Sequence, residues 1–433
     1  MGLRHHLKYL TSILIRRRYY GFVGGHDYLS QKEISTLKRL IHSPSKIYIE
    51  RYENDLANAL GGGFVKTYAA GRMAFFSILK AMNIRAGSEV ILTGLTCSVM
   101  VNAVKRAGLK PVFSDIDEDT YGSSPKEISR CITKRTRVIV AQHSFGIPCK
   151  IDEIKYIADK NGILLIEDCA LSFLSKYKNR NLGTWGDYAI FSSDHTKPLN
   201  TFIGGFLYTK SQALFNSIKK STTQIEEISK TNQHVILKQL LRERKYYHPQ
   251  RYKYLLVLQY INSAIHKLFP NLQEQFYLND DSGPYILENK SYPYPALLPS
   301  FLAYLGSLDL KNYLLSIESK RTFLAALLRN KYPKTIIPAA YYDKDCYIVP
   351  LRFILFTSST DVYKHITRYI DQNWFWFKKP IVSTTEQLEE YGYIMGSCPL
   401  SEGLGMNIIN IPIIHYKNSA LLKKLSEVRK LDV

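Results

Sequence analysis

Two short stretches of this chain carry residues suited to chemistry. Ile166-Glu167-Asp168 ends an apolar run in a pair of carboxylates. Tyr188 to Phe191 ends another in the polar loop Ser192-Ser193-Asp194-His195-Thr196-Lys197-Pro198. In α/β proteins the ends of strands are where ligands and reacting groups gather. A primary amine forms an imine with a carbonyl, and a carboxylate can keep a ring nitrogen protonated. Lys197 at one strand end and Asp168 at another are therefore what a pyridoxal phosphate (PLP) site requires. By themselves two such residues are more often a solvated loop lysine and an ordinary strand-end carboxylate, so the surrounding chain has to decide.

The elements that would position them repeat one theme. Phe64 to Tyr68 reads as a strand, Ala70-Gly71-Arg72 as a small-residue turn, and Met73 to Met82 as a helix. Such a turn aims free backbone N–H groups and the positive end of a helix at an anion. Short β-rich runs follow at Val90-Ile91-Leu92, Pro111-Val112-Phe113, Val138 to Ala141 and Ile163 to Ile166. Helical stretches separate them, at Ser98 to Arg106, Pro125 to Ile132 and Ile151 to Lys160. That alternation predicts βαβ units, hence an α/β fold with a mostly parallel central sheet and helices on both faces. Tyr188 to Phe191 and Gly205 to Tyr208 have no helix between them. They are expected as an antiparallel edge or hairpin of a mixed sheet.

Three regions are expected. Residues 1–45 read as a basic N-terminal arm with amphipathic helical spacing at Leu7, Leu10, Ile13 and Leu14. Residues 46–298 form the large domain, with a helical, charged insertion at about 211–290 and the linker-like turns Asp280 to Pro284 and Tyr292 to Pro295. The apolar face from Tyr254 to Phe269 is expected to pack on the domain or at a subunit interface, membrane contact being the lesser reading. Residues 299–433 form a smaller C-terminal α+β domain. It has a long helix from Leu302 to Asn330, strands at Tyr347 to Arg352 and Asn407 to Pro412, and helices at Asp361 to Asp371 and Ser419 to Arg429.

Composition bounds the function classes. The chain has 433 residues and is 45% hydrophobic, enough for two or three folded domains. Its 58 basic and 37 acidic residues leave a formal charge of +21, which favours anionic partners. No basic tail or nucleic-acid motif accompanies that charge, so nucleic acid is not expected as a partner. Six cysteines without a CxxC pair argue against a disulfide framework or a structural zinc site, and no metal is expected. No secretory signal and no apolar run of membrane-spanning length is read, which gives a cytoplasmic expectation.

In this order the residues resemble the DegT/DnrJ/EryC1/StrS sugar aminotransferases, of the fold type I PLP class. The resemblance is close from Tyr52 to Lys210 and looser over 300–420. Tyr52-Glu53-Asn54-Asp55-Leu56 is similar to the family's opening helix, and Ala70 to Ala74 to its phosphate-binding turn. Gly87 to Ile91, Pro111 to Asp117, His143 to Pro148, Ile166 to Ala170 and Gly183 to Asp187 resemble its successive strand-end motifs. Phe191-Ser192, Lys197 and Gly204-Gly205 resemble its lysine segment, and Ser397 to Glu402 with Asn410 to Pro412 its closing segment.

The resemblance implies a PLP-dependent aminotransferase that aminates a nucleotide-linked keto-sugar, with glutamate or glutamine as donor, in polysaccharide or secondary-metabolite biosynthesis. It implies Lys197 as the Schiff-base lysine and proton shuttle, and Asp168 as the partner of the pyridinium nitrogen. It also implies Gly71, Arg72, Met73 and Ser192 around the cofactor phosphate, Cys97 over one ring face, and a homodimer. Beside a cation, Asp168 is expected to have a low pKa. His195 is expected as a loop or substrate-contact residue, and His143 as a structural hydrogen-bonding histidine. Cys97, Leu171 and Ile203 depart from the family, which usually has an aromatic residue, Gln or His, and Glu at those places. The family's Asn and Arg for the neighbouring subunit's phosphate have no clear counterpart; Tyr292 to Pro295 stands near their place. Two other outcomes stay open: a PLP-dependent sugar dehydratase or sensor, and a basic binding protein on the same fold. Dehydratases of the family carry His in place of the lysine.

Overall fold

The computed structural model describes residues 20–255, 257, 258, 261, 276, 278, 292–329, 336–370, 379–382, 387–414, 416, 417 and 419–427. The expected helical spacing at Leu7 to Leu14 and the turn at Asp280 to Pro284 lie outside these residues.

A capping box opens the first described helix, α1 (Gln31–His42): Ser30 accepts from the Glu33 amide while Glu33 reaches back to the Ser30 amide. Its apolar stripe Leu37, Leu40 and Ile41 is buried. Helix α2 (Lys46–Leu60) stops at Gly61, whose φ of 96° is the left-handed end that glycine adopts freely. Strand β1 (Phe64–Tyr68) then leads into helix α3 (Gly71–Ala81).

The expected alternation follows. It comprises β2 (Glu89–Thr93), α4 (Ser98–Arg106), β3 (Lys110–Ser114), α5 (Pro125–Cys131), β4 (Thr136–Gln142), α6 (Ile151–Asn161) and β5 (Leu164–Asp168). Strands β6 (Tyr188–Ser192) and β7 (Gly205–Thr209) complete a seven-stranded sheet in the order β1-β7-β6-β5-β4-β2-β3. Every residue of β2 and of β7 is buried, as central strands covered on both faces require. All pairings are parallel except those of β7, which is antiparallel to both β1 and β6. The antiparallel hairpin pairing expected of β6 and β7 is present, but neither strand is the edge. Strand β1 pairs along the whole outer side of β7 and takes the edge itself.

After the sheet come α7 (Gln212–Ser221), α8 (Lys230–Tyr246) and the long α9 (Ser300–Leu328). Within the expected apolar face after Tyr254, the described Tyr254, Leu258 and Ile261 are exposed, while Leu255 is buried. The C-terminal part pairs β8 (Arg352–Phe356) with β9 (Ile408–Pro412), antiparallel, beside α10 (Thr360–Thr367), α11 (Pro399–Asn407) and α12 (Ser419–Ser426). The strand expected at Tyr347 to Arg352 is displaced. Cys346–Tyr347 pairs with Lys176–Tyr177 instead, and the ladder resumes only at Arg352. Pro350 lies between them and has no N–H to donate.

Two apolar clusters result. The larger surrounds the seven-stranded sheet, and the second gathers β8, β9, α10 and α12 with Phe323, Leu324 and Leu327 of α9. Tyr20 and Phe22 belong to the second cluster, Leu29 to the first, so the segment between them runs across the body. Among the described residues no helix is long and apolar enough to cross a membrane.

Candidate active site

Strands β5 and β6 run parallel and adjacent, so Asp168 and Ser192 finish at the same edge of the sheet. Lys197 follows in the loop that returns through β7. Its backbone is fixed by a turn, with the Lys197 amide donating to the Asp194 carbonyl at 2.9 Å. The Ser193 and Thr201 hydroxyls, 2.7 Å apart, close the neck of that loop. Asn200 ties it outward. Its amide donates to Asp309 of α9, its side chain donates to the Gly24 carbonyl, and its own carbonyl meets His26 Nε2 at 2.8 Å. The lysine loop is therefore clamped by chain from both sides of the sequence.

Lys197 is half-buried. Burial pushes its amine down to about 8, against the raising pull of Asp194, Cys97 and Asp168 and with a further lowering by Arg352. A lysine in that state is uncharged, hence nucleophilic, in a useful fraction of molecules near neutral pH. Arg352, at the start of β8, is almost fully buried, and burial pushes its guanidinium down to about 9. Its part in the site was not read from the sequence. A single arginine inside the apolar run from Tyr347 to Phe356 was the available signal.

Asp168 is buried at the end of β5, and its Oδ1 accepts from the Ala170 amide at 3.0 Å. The low pKa expected for it is overturned. Burial raises its carboxyl above the ordinary value, and the Ala170 N–H and Lys197 pull it back only in part. Desolvation outweighs the nearby cation here.

Its neighbour Glu167 points the other way along the strand and is a structural clamp. Its carboxylate accepts from the amides of Gly183, Trp185 and Gly186 at 2.8, 2.6 and 2.8 Å. His143 Nε2 lies 3.2 Å from the same carboxylate, while His143 Nδ1 accepts from the Cys149 amide. That bond fixes the ring proton on Nε2 and supports the structural role expected for His143. Cys169 brings a third ligand-type atom within 4.8 Å of His143 and Glu167. The carboxylate is already taken up by its amide donors.

The third component is the start of α3. Ala70, in extended conformation, precedes it without any side-chain cap. Gly71 packs so tightly that an added Cβ would sit 2.9 Å from the Phe191 carbonyl and 3.5 Å from Ser192 Cβ. The opening turn of α3 thus lies against the end of β6. Ser192 is half-buried there, its hydroxyl 3.5 Å from the Asp194 amide. Arg72 turns its guanidinium to the Leu278 carbonyl at 3.0 Å. Met73 is fully buried, with the Ala296 amide 3.4 Å from its sulfur.

Cys97, half-buried, immediately precedes α4 in a short parallel pairing with Ile381–Val382. It is close enough to Lys197 for the two to interact electrostatically. Leu171 and Ile203 are buried core residues. All six cysteines are reduced.

This constellation has the donors a phosphate-bearing aldehyde cofactor needs. It offers an amine of lowered pKa, a buried carboxyl suited to a cationic ring N–H, and an uncapped helix start with a hydroxyl beside it. Residues 31–236 match the model of the DegT/DnrJ/EryC1/StrS aminotransferase family. That stretch of the chain is similar to this family.

Among curated relatives, the chain is 36% identical over 169 residues to GDP-perosamine synthase of Escherichia coli O157:H7, covering 39% of this chain and 46% of that one. It is 34% identical over 171 residues to spore coat polysaccharide biosynthesis protein SpsC of Bacillus subtilis (strain 168), covering 40% and 44%. The chain thus spans about half the length of the curated relatives it matches. The whole fold is shared with solved structures. DesV of S. venezuelae superposes with a TM-score of 0.69 at 18% identity, covering 96% of this chain and 100% of that one. PseC of Helicobacter pylori gives 0.68 at 14% identity, covering 95% and 98%. A GDP-4-keto-6-deoxymannose-3-dehydratase has the same fold at 0.66 and 16%, so fold alone does not separate amination from dehydration.

Proposed function

We propose that this protein is a PLP-dependent aminotransferase acting on a nucleotide-linked keto-sugar, with glutamate or glutamine as amino donor. The observation that carries the reading is the meeting of Lys197, Asp168 and the opening turn of α3 at one edge of the sheet. When bound, PLP supplies an aldehyde that carries the amino group between donor and acceptor and a ring that takes up electron density.

Asp168 would hold the ring nitrogen, its burial making a cationic N–H the favoured partner. The Gly71 and Arg72 amides and the Ser192 hydroxyl would hold the phosphate at the helix start. Met73 would back that turn from the core. Cys97 would lie over one ring face. Lys197 would hold the aldehyde carbon between turnovers and, once released, move a proton as base and then acid. Its lowered pKa suits both roles near neutral pH. Lysine rather than histidine at position 197 favours amination over the dehydratase outcome, and it is what a binding protein without activity would not need.

The formal charge of +21 suits the diphosphate of such a substrate. Within the reading, residues 46–298 form the large PLP-binding domain and 299–433 the smaller C-terminal domain. The protein works in the cytoplasm as a homodimer. The reading is tested by offering purified protein, PLP and glutamate or glutamine to a panel of nucleotide-linked keto-sugars. Amination of one of them, lost in Lys197→Ala, supports it. Dehydration without amination would move the assignment to the second class.

A further inference from the structure

Helix α8, in the stretch expected as an insertion, reaches the lysine loop through a line of charged groups. Glu243 of α8 is buried, and its Oε2 has no hydrogen-bond partner among the described residues. Its Oε1 lies 3.6 Å from His195 Nδ1. The other face of the imidazole, Nε2, lies 3.9 Å from Asp194 Oδ1. The ring rests edge-on against Phe202 at 5.8 Å, and the His195 amide donates to the Phe202 carbonyl. Asp194 in turn opens the turn that carries Lys197, accepting the Lys197 amide at its carbonyl and the Thr196 amide at its carboxylate. Among the charges acting on Lys197, that of Asp194 is the strongest that favours the ammonium.

We propose that Glu243 is a positioning residue for Lys197, acting through His195 and Asp194 to set the charge state of the lysine amine. This rests on the aminotransferase reading only for its purpose, since the coupling is a property of the chain alone.

The His195 imidazole turns Nδ1 to Glu243 and Nε2 to Asp194, so a single ring N–H faces one carboxylate at a time. Burial pushes Glu243 up to about 7, with His195 and Arg242 pulling it down and Asp194 pushing it further up. Glu243 therefore gains or loses its charge in the range where an enzyme works. Ionised, it draws the ring N–H of His195 to Nδ1 and leaves Asp194 to Lys197. Uncharged, it releases His195 to Asp194, and Lys197 loses part of its counter-charge.

The groups facing this line are Arg242 beside Glu243, His26 beside His195, and Arg352, Cys97 and Asp168 around Lys197. A lysine whose charge is tuned from α8 places part of the control of this site in a segment that the mechanism otherwise leaves without a task.

The test uses the full chain without cofactor, so it does not depend on turnover. Lys197 reactivity toward trace acetic anhydride is followed against pH by peptide mass mapping in wild type, Glu243→Gln and His195→Gln. The wild-type midpoint should lie at about 8. Glu243→Gln should lower it by about half a unit, roughly a threefold change in the uncharged fraction at fixed pH. His195→Gln breaks the line, so Glu243→Gln added to His195→Gln should move the midpoint no further. A shift that appears in the wild-type background and vanishes in the His195→Gln background supports the proposal. An unchanged midpoint in folded Glu243→Gln, or the same shift in both backgrounds, overturns it whether or not the melting temperature falls, because a merely structural contact would move stability alone. If Glu243→Gln does not fold, Glu243→Asp, which withdraws the carboxylate from His195, takes its place and should shift the midpoint the same way. Coupled midpoints in a protein that takes up no PLP would leave this inference standing and remove the functional reading.

Discussion

A Cβ built on Gly205 would lie 2.2 Å from the amide nitrogen of Gly71. Strand β7 and the first residue of α3 thus meet backbone to backbone, and Gly205 fixes where the free amides of that helix point. Gly205→Ala must push the helix start away. Overpacking of this kind costs about 1–3 kcal/mol. Urea denaturation should show that loss, and PLP affinity should fall with it. Gly403 in α11, where an added Cβ meets nothing within 4 Å among the described residues, is the control. Gly403→Ala should stabilise by roughly 0.5–1 kcal/mol and leave PLP affinity unchanged.

Lys197 links stability to pH. Its folded-state value of about 8 lies below the ordinary lysine value of 10.5. The contribution to stability is therefore complete above the ordinary value and is lost as pH falls through about 8. Cofactor-free Lys197→Met should gain stability relative to wild type as the pH is lowered across that range. Paired urea titrations on either side of pH 8 check the sign.

Glu167 holds the 183–186 turn through three amides and His143. Glu167→Gln leaves one donor group facing others inside the core. Buried mismatches cost about 1–3 kcal/mol each, so a loss of roughly 2–4 kcal/mol is expected. The turn follows β5, so PLP binding beside Asp168 should weaken as well. A melting curve and a PLP titration measure the two effects separately.

Asp115, at the end of β3, caps a helix far along the chain. Its carboxylate accepts from the amides of Leu400 and Ser401 and from the Ser401 hydroxyl, at 2.9, 2.9 and 2.7 Å. Asp115→Ala should cost about 1–2 kcal/mol, in the range of a lost helix cap. Hydrogen exchange should show the first turn of α11 opening, while the amides of β5 and β6 keep their protection.

Much of the site was legible because it depends on local signals. Lys197, Asp168 and Gly71 stand at strand ends and at a helix start, which short-range patterning marks. What the sequence hid is set by long-range packing. The place of β7 inside the sheet depends on β1, more than a hundred residues earlier. The strand beginning at Arg352 could not be told from the apolar residues before it, and only Pro350 marked the break. The high pKa of Asp168 and the pairing of His195 with Glu243 follow from burial and from a helix crossing, neither of which spacing records.

The central claim is that Lys197 holds the cofactor. Purified protein is loaded with PLP, reduced with borohydride, digested and mapped by mass spectrometry. The account predicts a single pyridoxyl adduct on Lys197, absent from Lys197→Ala. PLP bound with no adduct at Lys197, or an adduct on another lysine that persists in Lys197→Ala, would contradict it.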